Sequence, residues 1–358
     1  MIASIFANRY EKQYPTWGND ILQIDIFDLY INSMKNNTVS LSINTIDDVM
    51  KLDYRRLREL DSESLVPVYK KTSRIIRDFK KEVKLKKNDL LLTEINDKKD
   101  MIMSLLVMDL FNTSPLYTVV SRYTNMPLIV DGISADSCIF YVFTNEETAR
   151  EIATYRTFEC SESCKVQKLT KEEIIEFIIV YGYSDFRYQA SINNSILLSL
   201  PNISDSVDYM KFYISQYTSA MKNPELSISG IKYYQNFRDC KGGPEFPYRL
   251  KEEFLNLLMT SSVFAPITKD YNDVEHEVIP GWNVIYEAKS VNGTITSLPV
   301  FYADTLSIEK FYGSRKTYAN NKLGKFLSIL HAHRFVLRIG NLELLINSSD
   351  LYGDTPYI

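Results

Sequence analysis

LVMDLFNTSPLYTVV (Leu106–Val120) and EFLNLLMTSSVFAPI (Glu253–Ile267) are two versions of one pattern. Laid on each other without gaps, both read as an apolar helix end, then Thr-Ser, then a short strand. Leu110 meets Leu257, Thr113 meets Thr260, Ser114 meets Ser261 and Tyr117 meets Phe264. Identities are few, so the pairing draws its weight from the elements downstream of each copy. Internal similarity at a fixed spacing points to a repeated structural unit.

The order of those downstream elements is shared. In the first copy the β-rich run Cys138–Phe143 leads into Thr144-Asn-Glu-Glu147, where a Thr followed three residues later by Glu predicts a capping box and a helix through Ile152. In the second, Ser297–Phe301 leads into Asp304 as N-cap, with a helix ending near Gly313. Each copy then has a further helix, one opened by the capping box Thr170-Lys-Glu-Glu173, the other over Lys322–Leu330. Each closes with a hairpin signal. Phe186–Ser191 and Ser195–Leu200 flank Asn193-Asn194, and Arg334–Ile339 and Leu342–Ile346 flank Gly340-Asn341, residues that tolerate the positive φ of a primed turn. The second copy adds a hairpin, Val284–Ser290 and Thr294–Phe301, around Asn292-Gly293.

These readings predict an α/β fold of the α+β type: two similar mixed α/β units with closing hairpins, preceded by a helical segment. A length of 358 residues suits two or three domains. The expected divisions are a mainly helical segment over 1–100, a first unit over 101–203, a helical connector over 204–247 and a second unit over 248–358. Within them, Pro67 suits a first helical turn, with Val68, Ile75, Ile76, Phe79 and Val83 as an apolar stripe behind it. A helix is expected over Ser204–Met221, and Gly242-Gly-Pro244 is the best boundary signal.

Composition narrows the class. Hydrophobic residues are 45% and charged residues 24%, the balance of a soluble globular chain, and the net charge of −4 argues against a generalised nucleic-acid binder. No run approaches the ~18 apolar residues of a membrane span. The first residues lack the basic and apolar regions of a signal peptide, and four cysteines make no disulfide framework, so the expected compartment is the cytoplasm.

The repeat unit resembles the N-terminal domain of the SseB family, named for enhanced serine sensitivity. The resemblance is carried by LLMTSSVFAPI (Leu257–Ile267), by Leu298-Pro-Val-Phe301 followed by the helix Tyr302–Phe311, and by Leu344-Leu-Ile-Asn347. It spans 253–350 and, less fully, 105–200, where Phe140-Tyr-Val-Phe143 replaces the Leu-Pro-Val-Phe motif. It implies a non-enzymatic module of bacterial regulators, of proteins linked to secretion systems and of toxin–immunity loci, and it transfers no catalytic residue.

Signatures of chemistry fail on inspection. His331 and His333 are two apart on an expected strand and would share a face, with His276 in Asp273-Val-Glu-His-Glu277 as a distant third ligand, but two ordinary histidines and an acidic edge explain them better. Cys160 and Cys164 lack a second pair, and Cys138 and Cys240 stand alone. Ala319–Phe326 imitates a phosphate loop without its first Gly or its Ser/Thr, and a helix suits it better. No catalytic, cofactor or metal residue is assigned.

One charge pattern stands apart. From Lys70 to Lys87 nine basic residues oppose only Asp78 and Glu82, and at helical spacing Lys70, Arg74, Arg77, Lys81 and Lys84 fall opposite the apolar stripe. A solvated face and an acidic partner (another protein, nucleic acid or an anionic surface) both account for it. The absence of exposed aromatics and of any nucleic-acid motif favours a protein partner. The sequence therefore points to a non-catalytic interaction protein acting as regulator, adaptor or immunity-type neutralising partner. Two alternatives are an enzyme or nucleotide-binding protein with a site assembled from distant residues, and a phage or mobile-element assembly protein.

Overall fold

The capping box of Thr45 and Asp48 opens the first helix of the described residues, α1 (Ile46–Met50), each side chain bonding the other's backbone N–H. This is a computed structural model that describes residues 43–83, 89–113, 115–131, 137–160, 163–236, 245–267, 284–291, 293–313 and 317–352. After α2 (Tyr54–Leu57) come two long helices, α3 (Ser62–Val83) and α4 (Asp89–Asn112), packed on each other. Asp61 caps α3 by accepting from the Ser64 N–H at 2.8 Å. Pro67 is thus the sixth residue of the helix and not in its first turn. It offers no N–H to the carbonyl four residues back.

The first half continues through β1 (Leu116–Ser121), β2 (Val130–Asp131), β3 (Cys138–Val142), α5 (Glu146–Cys160), β4 (Cys164–Leu169), α6 (Lys171–Ile179), β5 (Asp185–Ser191), β6 (Asn194–Leu198) and α7 (Leu200–Ser206). The connector is α8 (Met210–Ser219) and α9 (Pro224–Asn236), and Asp208 separates α8 from α7 where one helix was expected. The second half has α10 (Glu245–Thr260), β7 (Ser262–Pro266), β8 (Tyr286–Val291), β9 (Thr294–Tyr302), α11 (Thr305–Tyr312), β10 (Tyr318–Lys322), α12 (Leu323–Leu330), β11 (Arg334–Ile339), β12 (Leu342–Asn347) and α13 (Ser349–Tyr352). The fold is α/β.

Strand order is the same in both halves. The second sheet runs β10-β7-β9-β11-β12 with β8 paired to β9. In the first, β2-β3-β5-β6 form one ladder, and the antiparallel pair β4-β1 joins β3 through the bridge Tyr117–Phe143, whose two N–H···O bonds are each 2.9 Å. The corresponding joint in the second half is the pair Phe264–Tyr302. Tyr117 and Phe264 are the residues that the sequence alignment sets together. In each half one central pair is parallel, β3–β5 and β9–β11, and all others are antiparallel. Strands β4 and β10, inserted between the two helices of each unit, were not anticipated from sequence.

The central strands of each sheet are covered on both faces. Outside, Tyr117, Val119, Ile139 and Tyr141 pack on Ala149 and Ile152 of α5, while Phe264, Val300, Tyr302 and Val336 pack on Ile308 of α11. Inside, one buried cluster runs without a break from Ile43 through Phe140, Phe186 and Tyr188 to Phe301, Phe335 and Ile346. The helical segment, the connector and both sheets all contribute to it.

Local chemistry differs from expectation at several points. Helix α5 is capped by Asn145, which accepts from the N–H groups of Glu147 and Thr148, because Thr144 is engaged instead with Glu63 (2.8 Å). The first hairpin turns at Ile192-Asn193 with no positive φ. A bulge at Gln189–Ser191 absorbs the bend, and the Gln189 amide binds the turn carbonyls. Gly340, by contrast, has the positive φ of 55° expected of its turn. The expected helix over Ala319–Phe326 is in fact strand β10 running straight into α12. Gly242-Gly-Pro244, Asp273–Glu277 and Asn292 lie outside the described residues.

Candidate interaction surface

Helix α3 buries Leu65, Val66, Val68, Thr72 and Ile76 and half-buries Ile75 and Phe79, so its inner side carries the predicted apolar stripe as far as Phe79; the Val83 side chain lies outside the described residues. The same periodicity sends Lys70, Arg74, Arg77 and Lys81 outward, and all four are exposed, as is Lys71. Lys84 lies outside the described residues. At 1.5 Å per residue the four span about 16 Å along one line. Asp78 sits among them, 3.8 Å from Arg77 and 3.7 Å from Lys81, contacts that solvent keeps weak.

The helix is fixed where it meets the first sheet. The Ser62 N–H donates to Asp109 at 2.6 Å, and the Ser62 and Tyr188 hydroxyls share a hydrogen bond of 2.8 Å inside the protein. The cationic line is therefore carried on a rod whose direction is set by the core.

The remaining candidates are scattered. His331 is not on a strand: it ends α12 in the left-handed conformation at φ 49°, and His333 precedes β11, both exposed. His276, Cys240 and the Cys160 side chain lie outside the described residues, and Cys138 and Cys164 are buried. Among the described residues no three His, Cys, Asp or Glu side chains gather as a metal site. Ala319–Phe326 has no loop between β10 and α12 that could wrap a phosphate.

A second feature was missed from sequence. Between the halves lies a cavity of about 130 Å³, lined by Glu173, Glu176 and Phe177 of α6, Tyr181, and Lys310 and Phe311 of α11. Glu176 is only 2% exposed. Its carboxylate accepts from the Tyr181 hydroxyl at 2.7 Å and from Lys310 of the other half, which bonds both oxygens, at 2.7 Å on Oε2. The Lys310 side chain itself is 57% exposed. The signal was Ile174-Ile-Glu-Phe-Ile-Ile179, one acid in an otherwise apolar run of α6.

Negative charge accumulates behind this cavity. Asp304, fully buried, caps α11 by accepting from the Ser307 N–H (2.7 Å) and hydroxyl (2.8 Å). Burial pushes its carboxyl up to about 6, against those hydrogen bonds and with help from the Glu176 charge. The Tyr181 hydroxyl is raised by burial and then by the charges of Asp304 and Glu176. Tyr217 of α8 is pushed up to about 12 by burial and by Glu176, Glu172 and Glu173. Gly340 lets the β11–β12 turn close on this seam, since a Cβ there would lie 2.9 Å from the Tyr181 ring.

No helix among the described residues is long and apolar enough to cross a membrane. Comparison with known families, with characterised proteins and with solved structures finds no match for this chain.

Proposed function

We propose that the chain is a non-catalytic, cytoplasmic interaction protein of bacterial type, built from a duplicated SseB-like unit, that docks an acidic protein on the outer face of α3. Its role would be that of a regulator, adaptor or immunity-type neutralising partner. The observation that carries this reading is the line Lys70, Arg74, Arg77 and Lys81, exposed on a helix whose opposite side is anchored in the core. Like charges at helical spacing repel by a few tenths of a kcal/mol per pair, and the exposed Asp78 contacts to Arg77 and Lys81 are weak, so an acidic partner would gain by covering the line. The shared strand order of the two halves supports the duplicated unit.

Complementary charge acts mainly on the association rate and its salt dependence. Reversing Lys70, Arg74, Arg77 and Lys81 to Glu should leave the fold intact, because all four are exposed. A partner captured from native cells with the wild-type protein should then associate at least about tenfold more slowly, with a flattened dependence on salt. Unchanged association and an unchanged salt slope would assign α3 to solvation alone.

A further inference from the structure

We propose that the cavity between the halves is a binding site for an alkylammonium group, with the Lys310 side chain as its built-in occupant. The site has the three parts such a ligand needs. Glu176 supplies a carboxylate that is already dehydrated and held in place by the Tyr181 hydroxyl, so its strength is not spent on reorganisation. Phe177, Tyr181 and Phe311 supply aromatic surface at the same opening, which suits both the charge and the methylenes of an amine. Glu173 on the rim and buried Asp304 behind the wall make the local field negative.

Size is the next constraint. With Lys310 in place about 130 Å³ remains beside it, room for a guest of a few heavy atoms, as an engineered cavity of ~150 Å³ holds benzene. That accommodates a short aliphatic amine or the end of a lysine side chain, and nothing of nucleotide size.

Lys310 shows what the site accepts. Its ammonium sits on Glu176, yet more than half of the side chain lies in solvent, so the stem is free to swing away once another cation takes its place. Exchange conserves the ion pair, so Glu176 is never left buried and unpaired, the costly alternative. The tether keeps a high local concentration, in the millimolar range for short flexible links, so an external amine competes at a disadvantage and gains through the aromatic walls.

The test uses the full-length protein and n-butylammonium chloride, with sodium chloride at matched ionic strength and n-butanol as controls. Calorimetric titration should show weak binding to the wild type, binding at least about tenfold tighter to Lys310→Ala, and none to Glu176→Gln. n-Butanol should bind none of them. If Glu176→Gln does not fold, the contrasts between wild type and Lys310→Ala and between amine and alcohol still decide the matter. A parallel titration with N-acetyl-lysine methylamide separates the sources: tighter binding than butylammonium identifies a lysine of a polypeptide, weaker binding a free amine. Wild-type protein that takes up neither compound at about 10 mM, while Lys310→Ala does, would make the pair a structural latch and overturn the proposal.

Discussion

A carboxylate caps α11 from inside the protein at position 304, where burial raises its proton affinity against the Ser307 hydrogen bonds that favour the charge. The folded-state value of about 6 lies above the ordinary 3.8, so the group's contribution to stability is full below about pH 4 and is lost as pH rises through 6. Asp304→Asn keeps a good cap and removes the titration. Relative to the variant, the wild-type melting midpoint should therefore rise as pH falls from 7 to 5. The full difference between the two limits is roughly 3 kcal/mol. Parallel curves for the two proteins would show that Asp304 does not titrate in this window. Single residues were the least legible scale in the sequence. The basic run was readable because charge and periodicity are both local, and Lys70, Arg74, Arg77 and Lys81 are exposed as expected. The partners of Glu176 were not, because Lys310 is distant in the chain and only the fold brings it near. His331 failed for a different reason: one left-handed residue ends a helix there, and a two-residue spacing carries no such information.

Elements were legible wherever the side chains that define them act on their own backbone. Thr170 with Glu173 forms the expected capping box, Asp304 caps α11, and Gly340 turns β11 into β12. Expectation failed where a side chain was claimed by a distant neighbour. Thr144 should have capped α5, but its hydroxyl serves Glu63 at the start of α3, and the adjacent Asn145 takes over. Asn145→Ala should accordingly cost about 1 kcal/mol in chemical denaturation, and Asn145→Asp should be near neutral. An equal cost for both would mean that the Asn145 hydrogen bonds contribute little. The first hairpin obeys the same logic, since the Gln189 amide satisfies the turn carbonyls and removes the need for a positive φ at either Asn.

Over the whole molecule, the continuous inner cluster joins the helical segment, the connector and both sheets. Cross-links between the parts add to it: Gln235 of α9 accepts from the Ile129 N–H at 2.8 Å, and its amide donates to Pro127 at 2.9 Å. Scanning calorimetry should show one transition whose van't Hoff and calorimetric enthalpies agree. Two resolved transitions would mean that each half folds as a separate domain. The α/β class was legible from the order of elements alone. The inner face of each sheet was not, because what covers it comes from other parts of the chain.

The paired bridges Tyr117–Phe143 and Phe264–Tyr302 each stand two residues before a helix cap, Asn145 in one half and Asp304 in the other. The former is exposed and the latter sealed against Tyr181 and Glu176. Matching wiring does not make the halves interchangeable parts. A graft of 144–160 into the place of 303–312 would deliver a cap that works and a seam that does not, because it would bring neither Lys310 nor the acid behind it. Position 145 can exchange among capping residues without disturbing anything beyond its own helix, whereas 176, 181, 304 and 310 form one set drawn from both halves, so a change on either side of the seam is felt on the other.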